Sequence, residues 1–288
     1  PMLAACGGGG DAAPAPATPR STALGFPAVS KNILDGVSLP PGYTYTVVHA
    51  TGDRLVSSVS AYSNTGAETD DWALRVGDHH DGMDLFYVDG SGRYTTTATT
   101  RAVLAVNHES SADAHFFHPR GQTAGGTDGL KFSQFGGSSG WNGGARPALE
   151  VLKEINHHGV SIAEVRRNTT TGRWEYLVDA PLNRRVTAQT VMRITGPAAH
   201  IADIRSFMVT AYDTTGATSR GTLNNCGHGK TPWGTYLGCE ENWAFYFNNS
   251  VAPTGLTANQ VAGRQRYGVP TTAFSTTAPV NRNSQGWY

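Results

Sequence analysis

The chain has 288 residues, enough for one large β domain or two smaller ones with a buried core. Lys+Arg and Asp+Glu number 22 each, so no basic excess exists to follow a phosphate backbone, which excludes nucleic acid as the expected partner. Charged residues make up only 15% while glycine contributes 35 residues, a balance that favours strands and turns over long surface helices and predicts an all-β protein.

The opening residues, PMLAACGGGGDAAPAPATPRS, place Leu3-Ala4-Ala5-Cys6 before glycines and an Ala/Pro-rich tract. This pattern resembles a bacterial lipobox and tether, in which Cys6 would carry the lipid anchor and the spacer has no core of its own. A chance Ala-rich signal-peptide remnant is the alternative, and both imply export to the periplasm, the cell surface or the medium. Residues 1–30 are accordingly expected to be a targeting remnant and flexible linker, with 31–288 the folded domain. No later stretch is apolar for long enough to span a bilayer.

Further along, PPGYTYTVVHA at 40–50 alternates Tyr and Val positions behind two prolines and predicts a strand. GDHHDGMDLF offers Asp78, His79, His80, Asp81 and Asp84. Such an Asp/Gly cluster reads as a turn held by local side-chain hydrogen bonds ahead of a metal site, and it lacks the calcium-loop spacing. DLFYVDGSGRYTT reads as strand, Gly-rich turn and strand. TTRAVLAVNHE is an apolar β-run that puts Asn107, His108 and Glu109 at a strand end, on the rim where sheets display functional groups.

Residues 117–146 form a Gly/Ser-rich stretch too long for a mere connection, expected to be an insertion beside a site or a surface flap. ARPALEVLKEINHHG predicts a helix with Leu149, Val151, Leu152 and Ile155 as its apolar face and Gly159 as its stop. His115, His118, His157 and His158, in loops or at that helix end, are expected to be solvated. GVSIAEVRRNTTTGRWEYLV predicts a hairpin, alternating from Val160 to Val165, turning at Asn168 to Gly172 and returning from Trp174 to Val178.

The densest stretch is NNCGHGKTPWGTYLGCEENW at 224–243. Its Gly-Lys pair is not a phosphate-cradling loop, because the first glycine is wrongly spaced and a proline stands where the helix should start. Adjacent Glu240 and Glu241 repel one another unless a cation lies between or before them. In a strand, Cys239 and Glu241 would share one face and Glu240 the other, so one glutamate can face a cation while its neighbour turns away. Cys226 and Cys239 would form a disulfide by default in an exported chain, and a metal thiolate competes with that; the spacing leaves both open.

Taken in order, GDHHDGM at 77–83, NHE at 107–109, GVSIAEV at 159–165, NRR at 183–185 and NNCGHGKTPWGTYLGCEEN at 224–242 resemble the PhoX-type alkaline phosphatases, exported bacterial phosphomonoesterases, across roughly residues 32–248. The resemblance implies a six-bladed β-propeller with Ca2+ and Fe3+ at one end of its channel, acting on small phosphate esters at alkaline pH. It implies Glu109, Cys239 and one or both of Glu240 and Glu241 as metal ligands, and assigns Asn107 and Glu109 the catalytic role, Asn107 contacting substrate phosphate or a metal. Carboxylate and amide oxygens suit calcium and a thiolate suits iron. Arg184 and Arg185 are expected on a surface hairpin. Family members are much longer, so the chain is expected to be an N-terminal portion; His228 stands where relatives carry a smaller apolar residue. The competing expectations are a calcium-dependent lactonase or esterase on a similar architecture and a non-catalytic metal-binding lipoprotein.

Overall fold

The computed structural model describes residues 25–110, 122–123, 131–132, 147–247, 249, 251–273 and 287. The chain divides into two compact units, Pro1–Thr46 and Val47–Tyr288. Described residues of the first unit form neither helix nor strand. A turn in which Tyr43 N donates to Pro40 O (3.2 Å) and an edge-on Phe26–Tyr43 contact (5.5 Å) hold it locally. The strand expected at 40–50 therefore does not form. Tyr43, Tyr45 and Val47 stay exposed, since alternation without a partner strand leaves the backbone to water.

The second unit is built mostly from antiparallel strands. These are β1 (His80–Tyr87), β2 (Arg101–His108), β3 (Gln122–Thr123), β4 (Lys131–Phe132), β5 (Gly159–Arg167), β6 (Trp174–Tyr176), β7 (Arg184–Val186), β8 (Val191–Arg193), β9 (Thr218–Arg220), β10 (Asn225–Lys230) and β11 (Tyr236–Glu240). The α-helices among the described residues are α1 (Ala148–His157), α2 (Ala202–Phe207) and α3 (Ala258–Arg266). None is long and apolar enough to cross a membrane. The main sheet runs β1-β2-β5, with β6 and β7 both pairing β5; β10-β11, β3-β4 and β8-β9 are separate two-stranded ladders. No ladder among the described residues closes into a ring. The all-β expectation holds at the level of a sheet-rich protein with few helices.

Strands β2 and β5 are buried along most of their length, which for β2 explains its reading as an apolar run. On one face Phe86, Ala105 and Val160 pack with Val103, Ile162, Tyr94 and Tyr236; elsewhere Leu55, Val76 and Ala163 pack with Tyr176. The β5–β6 hairpin forms as read, Asn168 N donating to Arg173 O across its turn (2.8 Å).

Helix α1 exists, but its buried residues are Glu154, Asn156 and His157, while Leu149 is 80% exposed. Val151 and Ile155 do pack against Leu223, Tyr246 and Trp287. The polar members are buried because partners await them: Trp287 Nε1 donates to Glu154 Oε2 (2.8 Å), and His157 Nδ1 lies 2.7 Å from Lys153 O with its ring 4.7 Å from that of Trp72. His158 sits edge-on to Tyr246 (4.7 Å). His157 and His158 are therefore interior, not solvated, and burial lowers each to about 3, keeping the rings neutral. His115 and His118 lie outside the described residues, as does most of the 117–146 stretch. His158 caps the helix; Gly159 follows it at φ 94°, stopping α1 as expected while also opening β5, and passes so close to Val186 O that no side chain would fit.

Candidate metal centre

Two irregularities in the ladders build the site. Between His80↔His108 and Met83↔Val106, β1 advances three residues while β2 advances two, a bulge containing Asp81 and Gly82. Between Asn225↔Glu240 and His228↔Gly238 the same count recurs in β10, a bulge containing Cys226 and Gly227. A bulge re-aims a side chain that regular alternation would send elsewhere. The two bulges face each other so closely that a Cβ on Gly82 would lie 2.7 Å from Cys226 O. Glu109 follows β2 directly; its N–H donates to His79 O (3.0 Å) and its carbonyl accepts from Asn224 Nδ2 (2.7 Å), so its backbone is held on both sides.

The outcome is a half-buried group of Asp81, Glu109 and Cys226 whose ligand atoms, one from each residue, all lie within 4.8 Å of one another. Its electrostatics are those of crowded anions. Burial, then the charges of Asp81 and Glu241, raise the Glu109 carboxyl above its ordinary range. A hydrogen bond to Asp81, then burial and the charges of Asp81, Glu241 and Glu109, push the Cys226 thiol up to about 11. Each shift records an anion that its neighbours disfavour, and a multivalent cation would reverse both.

The residues expected from sequence fall into two sets. Glu109 is in the group, and Glu241 acts on Glu109 and Cys226 electrostatically from just beyond β11. Cys239 is exposed and not part of it; Cys226 provides the thiol instead. Both cysteines are free thiols, so the disulfide alternative is not formed. Glu240 turns to the 222–223 loop, its Oε1 accepting from Thr222 Oγ1 (2.8 Å) and Leu223 N (2.9 Å). Strand β11 ends at Glu240, so Glu241 lies just past it, its N–H donating to Asn224 O (3.1 Å).

Asn107 is fully buried. Its Nδ2 donates to Cys226 O (2.9 Å) and Gly227 O (3.1 Å), and its Oδ1 lies 2.9 Å from Tyr236 Oη. Arg184 is exposed as expected, but the Arg185 guanidinium points inward, donating to Asn156 O (3.0 Å), His158 O (2.6 Å) and Val160 O (3.3 Å), and to Arg75 O. It ties the α1–β5 junction together. Asp81 and Cys226 are the residues that reading by alternation missed. The available signal was the pair Asp81-Gly82 and Cys226-Gly227, each a potential ligand followed by a glycine inside a strand, where glycine marks a bulge or a close backbone approach.

A sheet-rich domain here brings two carboxylates and a thiol together from three separate segments, a donor set that could hold a metal ion. The family described as Alkaline phosphatase PhoX matches residues 24–288, and the chain belongs to that family. Among solved structures, Pseudomonas fluorescens PhoX in complex with vanadate, a transition state analogue, is similar at 30% identity and a TM-score of 0.66. The match covers 91% of this chain and 37% of that one, so the chain spans well under half the length of its relative. No curated protein matches it.

Proposed function

We propose that this chain supplies one part of the catalytic centre of an exported phosphomonoesterase that releases phosphate from small organic esters at alkaline pH. The observation that carries the reading is the convergence of Asp81, Glu109 and Cys226 in a chain that belongs to the PhoX family. The donor set fits the metals of the reading: carboxylate oxygens for Ca2+, and a thiolate with carboxylates for Fe3+. Asp81, Glu109 and Cys226 would hold them, with Glu241 adding charge. Bound multivalent cations offset the negative charge of a phosphoryl group as its transfer proceeds.

The chain's own residues prepare that site. Cys226, whose thiol is hydrogen-bonded to Asp81, would have to release its proton to solvent to hold a metal as the thiolate. Glu109 is held by its backbone, which fixes where its side chain starts. Asp84 takes no part, being paired with Lys230 (2.8 Å). The strands and hairpins described here are, on this reading, parts of a six-bladed β-propeller formed by residues 31–288 together with later blades. Export with lipid attachment at Cys6 completes the proposal, and retention in the membrane fraction lost on Cys6→Ser tests it.

The functional test is hydrolysis of p-nitrophenyl phosphate by the full-length protein supplied with calcium and iron. Activity inhibited by vanadate and reduced about a hundredfold or more by Glu109→Gln is the expected result. Lactone turnover insensitive to vanadate, or stabilisation by calcium with no turnover at all, would replace the phosphatase reading.

A further inference from the structure

Each bulge leaves backbone carbonyls outside the regular ladder, open to side-chain donors from elsewhere. In β10 those of Cys226 and Gly227 accept from Asn107 Nδ2. In β1 that of Gly82 lies 2.9 Å from Tyr236 Oη, which is also 2.9 Å from Asn107 Oδ1. The orientation of the Asn107 amide is fixed, because only its nitrogen can serve two carbonyls. The single Tyr236 proton is thus shared between Gly82 O and Asn107 Oδ1.

The three segments joined in this way are those that carry the three potential ligands: Gly82 adjoins Asp81, Asn107 lies two residues before Glu109, and the clamped carbonyls are those of Cys226 and its neighbour. The hairpin β10-β11 shares no ladder with the main sheet. Where Cys226 sits relative to Asp81 and Glu109 therefore depends on side-chain bridges, of which its own hydrogen bond to Asp81 holds the thiol but not the backbone that carries it. The Lys230–Asp84 bridge is partly exposed and fixes little. Asn224 holds Glu109 but not Cys226.

The geometry points to Tyr236, acting through Asn107, as the positioning residue that sets Cys226 against Asp81 and Glu109. It touches neither metal nor substrate. Its ring serves a separate purpose, packing on Phe86 (6.2 Å) and lining a cavity of about 240 Å3 with Val103, Ala105 and Ile162. Tyr236→Phe removes the hydroxyl and keeps that packing.

The inference rests on the metal-centre reading, and two readouts on the full-length protein separate them. The first is Ca2+ and Fe3+ affinity by titration of the metal-stripped protein; the second is the rate at which a thiol reagent labels Cys226 and Cys239, resolved by peptide mass spectrometry in the absence of metal. Tyr236→Phe is expected to weaken metal affinity by about 10- to 100-fold, and to change the labelling rate of Cys226 several-fold while that of Cys239 stays at the parent value. Parent-like affinity and parent-like labelling of Cys226 would overturn the inference, as would equal changes at both cysteines, which mark general loosening. A parent that binds neither metal defeats the metal-centre reading, and positioning by Tyr236 is then judged on the labelling alone. If the Phe variant does not fold, Asn107→Ala reaches the same clamp from the other side and is judged by the same two readouts.

Discussion

At the residue scale, the question is which thiol matters. Cys226 lies with Asp81 and Glu109, whereas Cys239 faces outward on the hairpin. Sequence position argued for Cys239, since it stands beside Glu240 and Glu241. Neighbours along a strand point to opposite faces, however, and the residue that joins Glu109 comes from the other strand of the hairpin through a bulge that alternation does not foresee. Trp287 is another residue of consequence, 1% exposed, donating to the buried Glu154 carboxylate. Trp287→Ala is expected to destabilise the chain by about 3–5 kcal/mol, read from the midpoint of urea denaturation.

At the element scale, what was legible were segments whose periodicity met a partner. Strand β2, read from its apolar run, and the β5–β6 hairpin, read from its alternation, each have a ladder neighbour to pair with. The stretch at 40–50 has the same pattern and no such neighbour. Helix α1 was legible as a helix, but its inward face was not, because Trp287, which donates to Glu154, and Trp72, whose ring lies against His157, are distant in sequence. That burial carries a pH signature. His157 and His158 fall from the ordinary 6.5 to about 3, chiefly by burial. A depressed folded value gives stability that is complete above pH 6.5 and is lost as pH falls toward 3. Stability measured by urea denaturation should thus decline below pH 6.5, more shallowly in His158→Gln; a flat profile from 6.5 to 5 would contradict it. The facing bulges invite a third test. Gly82→Ala puts a methyl against Cys226 O and His228, so it should cost about 1–3 kcal/mol and lower the metal content of the purified protein, measured by elemental analysis.

At the scale of the whole molecule, family membership and the site support one another while resting on different facts. The family match spans residues 24–288, and the site emerges from two bulges and a strand end within that span. The chain covers 37% of the Pseudomonas fluorescens relative, so a full catalytic centre on the proposed reading draws on segments beyond those described here. Elemental analysis for iron and calcium in the full-length protein, purified without chelator beside its Cys226→Ala and Cys239→Ala variants, tests the central claim most directly. Iron present in the parent, retained in Cys239→Ala and lost in Cys226→Ala is the predicted result; iron retained in Cys226→Ala would contradict the assignment of the thiol ligand and, with it, the metal centre drawn from Asp81, Glu109 and Cys226.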